Sequence, residues 1–394
     1  MIRDISPSAL YMGVLAAFVG YAASFAIVLA GLTSMGADPG QAATGLFFAT
    51  LGMGICSILV PALTRVPAAI AWSTPGGALL AATAVLPGGF AEAVGALVAC
   101  ALLILLTGLI PVLARWVAAI PRQIASALLA GVLLKLCFAP ALAFETDPLG
   151  AFVLVAAWVA GLAWHRLAAM PLTVAAFLLV LAFGSDMPLA SISTGEGWLP
   201  AFQAIMPVFT LQGFVSVAIP LFLVTMAGQN IPGFALLELR NYRIDRKRLL
   251  RDTGFASLLI APFGAVPMNM SAITAAMMSG EDAGPDPARR YWAAISSGIV
   301  YAALAFAAGP VVALVNQAPM ELILAVAGLA LIPAFAASLA GTVGEAGQIG
   351  ISAALTFIVT ASGMSLFGLS GAFWGVVAGL LLWFVTRART GRAG

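Results

Sequence analysis

The side chains able to do polar chemistry here are few, and they interrupt long apolar runs. Gln229 and Asn230 sit inside one run, Asn269 follows Pro267 by two residues in another, and Ser73 and Thr74 precede Pro75-Gly76 in a third. An amide can donate to a carboxylate with one end and accept elsewhere with the other. The competing reading makes Gln229 and Asn230 caps for free carbonyls ahead of Pro232, and Asn269 a local backbone cap. Tyr21 and Phe25 are four apart, hence on one helical face, where they could flank an aromatic ring or simply pack. Lys135 and Glu345 are the charges hardest to place at a membrane surface, and an intramembrane ionisable group is a functional candidate by default. Lys135 could instead snorkel or meet a backbone carbonyl, and Glu345 could lie in a loop. His165, beside Arg166, reads as interfacial. Cys56, Cys100 and Cys137 lie in apolar runs without a C-x-x-C spacing, so they read as small buried hydrophobes. One His, no H-e-x-x-H and no paired intramembrane carboxylates argue against an enzyme, and no cofactor or metal is expected. A channel would need a continuous polar path, and the runs hold too few polar residues.

The elements that must position these groups are membrane spans. The 394 residues are 62% hydrophobic and 8% charged, against roughly 45–50% and about 25% in soluble domains. The apolar stretches recur from Leu10 to Phe384. No signal peptide is expected, because the first run is long and has no small-residue cleavage site behind it. Spans are expected near 9–33, 42–62, 68–86, 91–113, 123–142, 149–165 and 170–185. A second set falls near 207–231, 250–264, 266–279, 290–315, 319–340, 347–364 and 367–386. With a cytoplasmic N-terminus, sixteen of the seventeen basic residues fall on the inside, from Arg3 and Arg65 to Arg392. The outside loops hold Asp38, Glu145, Asp147, Asp186, Glu196 and Glu321 instead. The pattern stays in phase along the chain, so fourteen spans with both termini inside are expected, in a bacterial inner membrane. The net charge of +2 follows from this topology and implies no nucleic-acid partner.

Fourteen spans suggest seven duplicated in inverted orientation, residues 1–195 and 196–394. Two pairs of stretches match at an offset near 192. One pair is Thr33–Gly40 with Thr225–Gly233; the other is Trp72–Ala78 with Ala265–Ser271, which sets Pro75 against Pro267. Each of these prolines should end an extended entry and begin a short helix, one from near Gly76 and one from about Met268. Extended backbone at membrane depth must line a cavity or be buried in protein. Two helix starts meeting there would hold an anion with backbone N–H groups, without Arg or Lys. The expected binding residues are therefore Gln229, Asn269, Met268, Thr74, Pro75, Gly76 and Asn230, with Tyr21 and Phe25 beside them.

The stretches Trp72–Gly76, Met226–Gly233 and Asn269–Ala276 together resemble the bacterial benzoate permeases, which are benzoate:proton symporters. The resemblance covers essentially the whole chain, and 226–233 is its most specific part. It is also distantly similar to nucleobase permeases and sulfate-type anion transporters. The resemblance implies a helical 7+7 inverted repeat in which the third and tenth spans pair as short antiparallel strands. It implies a core domain of 9–120 plus 207–315 and a gate domain of 121–195 plus 316–390. It further implies an aromatic monocarboxylate as substrate, protons as coupling ion, the lipid bilayer as surroundings, and a homodimer as one assembly open to the fold. Where nucleobase permeases carry an acidic residue in the eighth span, this chain has Gln229. The amide argues against a neutral nucleobase and removes a charge that would repel an anion. A nucleobase or other small-anion permease of the same fold is the alternative.

Overall fold

The structure is a computed structural model that describes residues 4–165, 167–184, 199–343 and 350–390. Glu345, Arg166 and the 185–198 stretch with Asp186 and Glu196 lie outside the described residues. The chain is predominantly helical. In its first part the helices are α1 (Pro7–Ala22), α2 (Phe25–Ser34), α3 (Pro39–Thr64), α4 (Thr74–Ala82) and α5 (Gly89–Leu109). They continue with α6 (Pro111–Ala119), α7 (Arg122–Cys137), α8 (Ala139–Thr146), α9 (Pro148–Trp164) and α10 (Ala169–Gly184). Next come α11 (Leu211–Leu239), α12 (Arg246–Ile260), α13 (Ala272–Ser279) and α14 (Tyr291–Ala305). The last are α15 (Ala308–Gln317), α16 (Met320–Ala340), α17 (Ile351–Ala361) and α18 (Gly371–Thr390). Two short strands, β1 (Ile70–Trp72) and β2 (Met268–Met270), precede α4 and α13; a hairpin of β3 (Ser365–Leu366) and β4 (Leu369–Ser370) joins α17 to α18.

Among the described residues, six helical runs are long and apolar enough to cross a membrane, counting α1 with α2 and α7 with α8 as one run each, and α14 with α15 forms a seventh, bent by 60°. Large apolar side chains such as Phe18, Leu63, Phe152 and Phe183 point outward. In water such a surface would associate; in lipid it is the expected exterior. The chain is a multi-pass membrane protein. Its interior packs through small residues, as membrane helices do when apolar burial alone supplies no drive. Where α3 crosses α14, a Cβ on Gly54 would lie 2.9 Å from the Gly298 carbonyl oxygen, and one on Gly298 2.6 Å from that of Gly54. Glycine at both positions lets the two backbones touch.

Polar side chains satisfy the helix ends locally. Asp38 caps α3 through a reciprocal pair with Gln41, and Pro39 occupies the first turn, where its missing N–H costs nothing. The two ends of the molecule differ in charge. Arg65, Arg240, Arg289 and Arg290 gather at one end, where the Tyr242 hydroxyl donates to the Pro287 carbonyl oxygen. Asp38, Glu145 and Asp147 mark the other. The first is the basic end and the second the acidic end.

The first span is found as expected, from Pro7 to Ser34, with a local break at Ala23 and Ser24. Two expectations are corrected. The first half-helix starts near Gly76, as expected, but the second does not start near Met268. Helix α4 begins at Thr74, with Pro75 in its first turn, and Met268 is a strand residue four positions ahead of α13. The 192-residue offset also fails at these elements. The pairing register sets Trp72 against Met268 and Ile70 against Met270, so the equivalent helix caps are Ser73 and Ser271. Thr33–Gly40 closes α2 and opens α3 across a turn, whereas 225–233 lies inside the continuous helix α11. Proline was a poor marker because it is tolerated both in a helix's first turn, as at Pro75, and in an extended entry, as at Pro267.

Candidate functional site

The two short strands are what brings the two half-helices together. β1 and β2 pair antiparallel, and the ladder extends at both ends: Ser73 N–H donates to the Pro267 carbonyl (2.8 Å) and Ser271 N–H to that of Ala69 (2.8 Å). Helices α4 and α13 therefore leave this ladder from opposite ends, each immediately after a serine. Ser73 Oγ accepts from Gly76 N–H at 3.0 Å, and Ser271 Oγ from Thr274 N–H at 3.5 Å. These are N-caps, made by the residue type most suited to the position.

Helix α11 crosses this pair, and its backbone is unusual there. It widens into π-turns at Phe214–Ala218 and Met226–Asn230. Each π-turn ends one residue before an Ile-Pro step, at Ile219-Pro220 and Ile231-Pro232, where the isoleucine N–H bonds five residues back, to Phe214 and Met226. Proline has no N–H and clashes with the carbonyl four residues earlier, so a local widening relieves the helix. The second π-turn carries Gln229 and Asn230. Asn230 is fully buried, and its Oδ1 accepts from Met270 N–H at 2.9 Å, outside the strand ladder. Gln229 Oε1 accepts from Ala272 N–H, the first residue of α13, at 3.3 Å. Its NH₂ group has no protein partner among the described residues.

After the caps, one backbone donor at each half-helix start remains free: the N–H of Thr74 and that of Ile273 have no partner among the described residues. Both residues line a cavity enclosing about 90 Å³, together with Pro75, Gln229, Ser271 and Thr274. Val19, Ala23, Met53, Trp72, Leu133 and Leu331 supply an apolar wall, and the cavity lining contains no ionisable acid, Lys, Arg or His. Ser24, at the break between α1 and α2, also lines it; its Oγ donates to the Gly20 carbonyl (2.6 Å) and accepts from Trp72 Nε1 (2.8 Å). The break is thus satisfied where the backbone faces the cavity. Tyr301 completes the lining, and a Cβ on Gly20 would come within 2.9 Å of its hydroxyl.

Of the nine residues singled out in the sequence, Gln229, Thr74 and Pro75 line this cavity. Six sit behind it. Met268 is buried in β2, its N–H bonded to Ser257 Oγ. Asn269 is the buried central residue of β2; with the amide oriented to suit its neighbours, its nitrogen donates to the Met270 carbonyl (3.1 Å) and its oxygen accepts from Ser73 N–H (3.3 Å). Asn230 holds β2, and Gly76 packs against Leu221. Tyr21 and Phe25 stack on each other with centroids 5.8 Å apart, and Tyr21 also meets Trp72 at 5.3 Å, so their faces are taken by protein. Sequence reasoning missed Ser24, Ser271, Thr274, Ile273 and Tyr301. A signal existed for Ser271: a serine three residues ahead of Thr274 and before an alanine-rich helical run is an N-cap pattern.

Two further cavities flank this one along α7 and α11. One, of about 230 Å³ toward the basic end, is lined by Arg122, Ser126, Met226 and Pro232 among others. The other, of about 170 Å³ toward the acidic end, is lined by Lys135, Gln212, Ser216 and Ser370 among others.

Comparison with known proteins agrees with this architecture. The family model of the BenE benzoate membrane transport proteins matches residues 3–385. The chain is 34% identical over 381 residues to the inner membrane protein YdcO of Escherichia coli (strain K12), covering 95% of each chain. It is 30% identical over 392 residues to the benzoate membrane transport protein of Acinetobacter baylyi (strain ATCC 33305 / BD413 / ADP1), covering 97% of this chain and 96% of the other. The fold is similar to that of the transmembrane domain of the cyanobacterial bicarbonate transporter BicA. The TM-score is 0.65 at 17% identity, over 96% of this chain and 98% of that one. On these grounds the chain is a membrane transporter, and it belongs to the benzoate membrane transport protein family.

Proposed function

We propose that this protein is a secondary active transporter that imports benzoate or a similar aromatic monocarboxylate together with protons. The observation that carries the reading is the composition of the central cavity: hydrogen-bond donors at two half-helix starts and on Gln229, apolar side chains around them, and no fixed charge. Thr74 N–H, Ile273 N–H and the Gln229 NH₂ group are unpartnered donors, and each half-helix start adds partial positive potential. The Thr74, Ser271 and Thr274 hydroxyls can add further donors. A carboxylate meets the donors while its ring meets Trp72, Met53 and Leu133. Burying about 150 Å² of ring contributes on the order of 4 kcal/mol, and each helix start roughly 0.3–2 kcal/mol. Association costs several kcal/mol, so binding is modest, as a carrier that must release its cargo requires.

Alternating access suits the proposed architecture. The six long helices, the bent pair, four shorter apolar helices, α12 and the two strand-plus-half-helix segments supply fourteen segments in order. That order supports a 7+7 inverted repeat with both termini cytoplasmic. In this reading the core (9–120 plus 207–315) carries the donors, and the gate (121–195 plus 316–390) supplies Leu133 and Leu331 across the cavity. Movement of one against the other would expose the site to each side in turn.

The test is uptake of labelled benzoate by proteoliposomes under an imposed inward proton gradient. Accumulation above equilibrium, collapsing with a protonophore and competed by ring-substituted benzoates, is expected. Uptake of uracil or bicarbonate with none of benzoate would replace this reading by that of a nucleobase or small-anion permease of the same fold.

A further inference from the structure

The cavity toward the acidic end holds a basic residue that the central site does not use. Lys135 lies in the last turn of α7, and its side chain is exposed in that cavity. Two features set it apart. The other described arginines and lysines belong to the basic end or to helix ends that lead there, so the positive-inside pattern does not account for it. No carboxylate lines the cavity, and no ion pair to Lys135 exists among the described residues.

Backbone and hydroxyl groups surround the cation. Gly363, at φ +63°, lies directly against it, and a Cβ there would overlap the ammonium group. The β3–β4 hairpin forms part of the cavity wall through Ser365, Gly368 and Ser370. Gln212 Nε2 and Ser216 Oγ both donate to the Gly368 carbonyl at 3.0 Å, and Ser370 Oγ donates to that of Ser216 at 2.9 Å. These bonds tie the hairpin, which joins α17 to α18, to the first turns of α11. Helix α7 then leads inward from Lys135: Gly131 and Val132 line the same cavity, and Leu133 lines the central one.

We infer that this cavity is an entry site for a carboxylate anion, centred on Lys135, from which substrate passes to the central donors when the hairpin releases α11. The inference rests on the transport reading above and on the acidic end facing outward. A mobile ammonium in a partly enclosed, acid-free pocket attracts monocarboxylates and raises their local concentration. It does so without the planar bidentate grip of arginine, which would hold them too well. The alternative is purely structural: Lys135 would sit there only because a cation is favoured at the C-terminus of α7.

Initial rates of labelled benzoate uptake into whole cells separate the two, with surface expression measured in parallel. Lys135→Met is expected to raise KM several-fold and leave the maximal rate within about twofold. It should also abolish the dependence of KM on external ionic strength that screening of an accessible cation produces. Lys135→Arg should restore that salt dependence. A second measurement avoids folding effects. Lys135→Cys, with Cys56, Cys100 and Cys137 replaced by serine or alanine, is treated from outside with an aminoethyl thiosulfonate that regenerates a lysine-like side chain. KM should then fall back toward the parent value. An unchanged, equally salt-sensitive KM in Lys135→Met, or a reagent that modifies the cysteine and leaves KM unmoved, overturns the inference. Failure of the transport reading shows separately, as a parent protein that takes up no benzoate.

Discussion

At the scale of the residue, Gln229 does two jobs through the two ends of its amide. Its oxygen accepts from the first N–H of α13, and its nitrogen remains free to donate into the cavity. Gln229→Ala is therefore expected to lose a hydrogen bond to a charged group, about 1.5–3 kcal/mol. That corresponds to roughly tenfold or more in affinity; binding measured by calorimetry on purified protein checks it. Gln229→Glu is the sharper variant. A carboxylate keeps the bond to Ala272 but removes the donors and repels the substrate, so binding should vanish near neutral pH while the melting temperature stays close to the parent's. Full uptake by well-expressed Gln229→Glu would remove this residue from the site. Asn230 and Asn269 show why the sequence could not sort these amides. All three are polar interruptions of apolar runs, yet two of them serve the strands and are fully buried. Which end of an amide faces a strand and which faces a cavity depends on helix rotation, and a π-turn sets that rotation locally.

At the scale of the element, two predictions follow from the broken helices and from α11. Gly76 was expected to matter through close approach of substrate to its backbone. In the structure a Cβ there meets Leu221 Cδ1 at 2.6 Å and Ser73 Oγ at 2.7 Å. Gly76→Ala should thus act by overpacking, at about 1–3 kcal/mol. It should lower the melting temperature in detergent with no benzoate present; loss of binding at an unchanged melting temperature would restore the original reason. Pro232 matters through an absent N–H. In Pro232→Ala the helix can regain regular bonds, and Gln229 should rotate away from Ala272. Uptake should drop strongly while expression and thermal stability hold or improve. The prolines and glycines were visible in the sequence as markers that something interrupts these spans. Their exact effect was not, because Pro75 lies inside a helical turn while Pro267 lies ahead of a strand.

For the whole molecule, orientation is the property with most at stake, because the import direction and the role given to Lys135 both depend on it. The basic end carries Arg243 on an exposed turn between α11 and α12. A cysteine at Arg243 should react with an impermeant maleimide only after cells are opened; Asn241 is a poorer choice, since its φ of +63° disfavours most side chains. Labelling in intact cells would invert the topology and turn the Lys135 cavity into an exit.

What the sequence determined by itself is the membrane class and the places of the long apolar helices; the proposed site of backbone and amide donors was its expectation. Hydrophobicity, the phase of Arg and Lys, and the absence of basic side chains near the centre are additive properties of a chain, so they can be read without coordinates. The tertiary structure decided which residues touch the cavity. Pairing Ile70 with Met270 and Trp72 with Met268 put Ser73 and Ser271 at the helix starts and left Thr74 and Ile273 with the free N–H groups. A strand register can slip by a residue and present the opposite face. It is held here by side chains on three helices, Ser57 to the Ile70 carbonyl, Ser257 to Met268 N–H and Asn230 to Met270 N–H. The last joins residues 40 positions apart, and the pairing of β1 with β2 joins segments farther apart still; no local pattern encodes either.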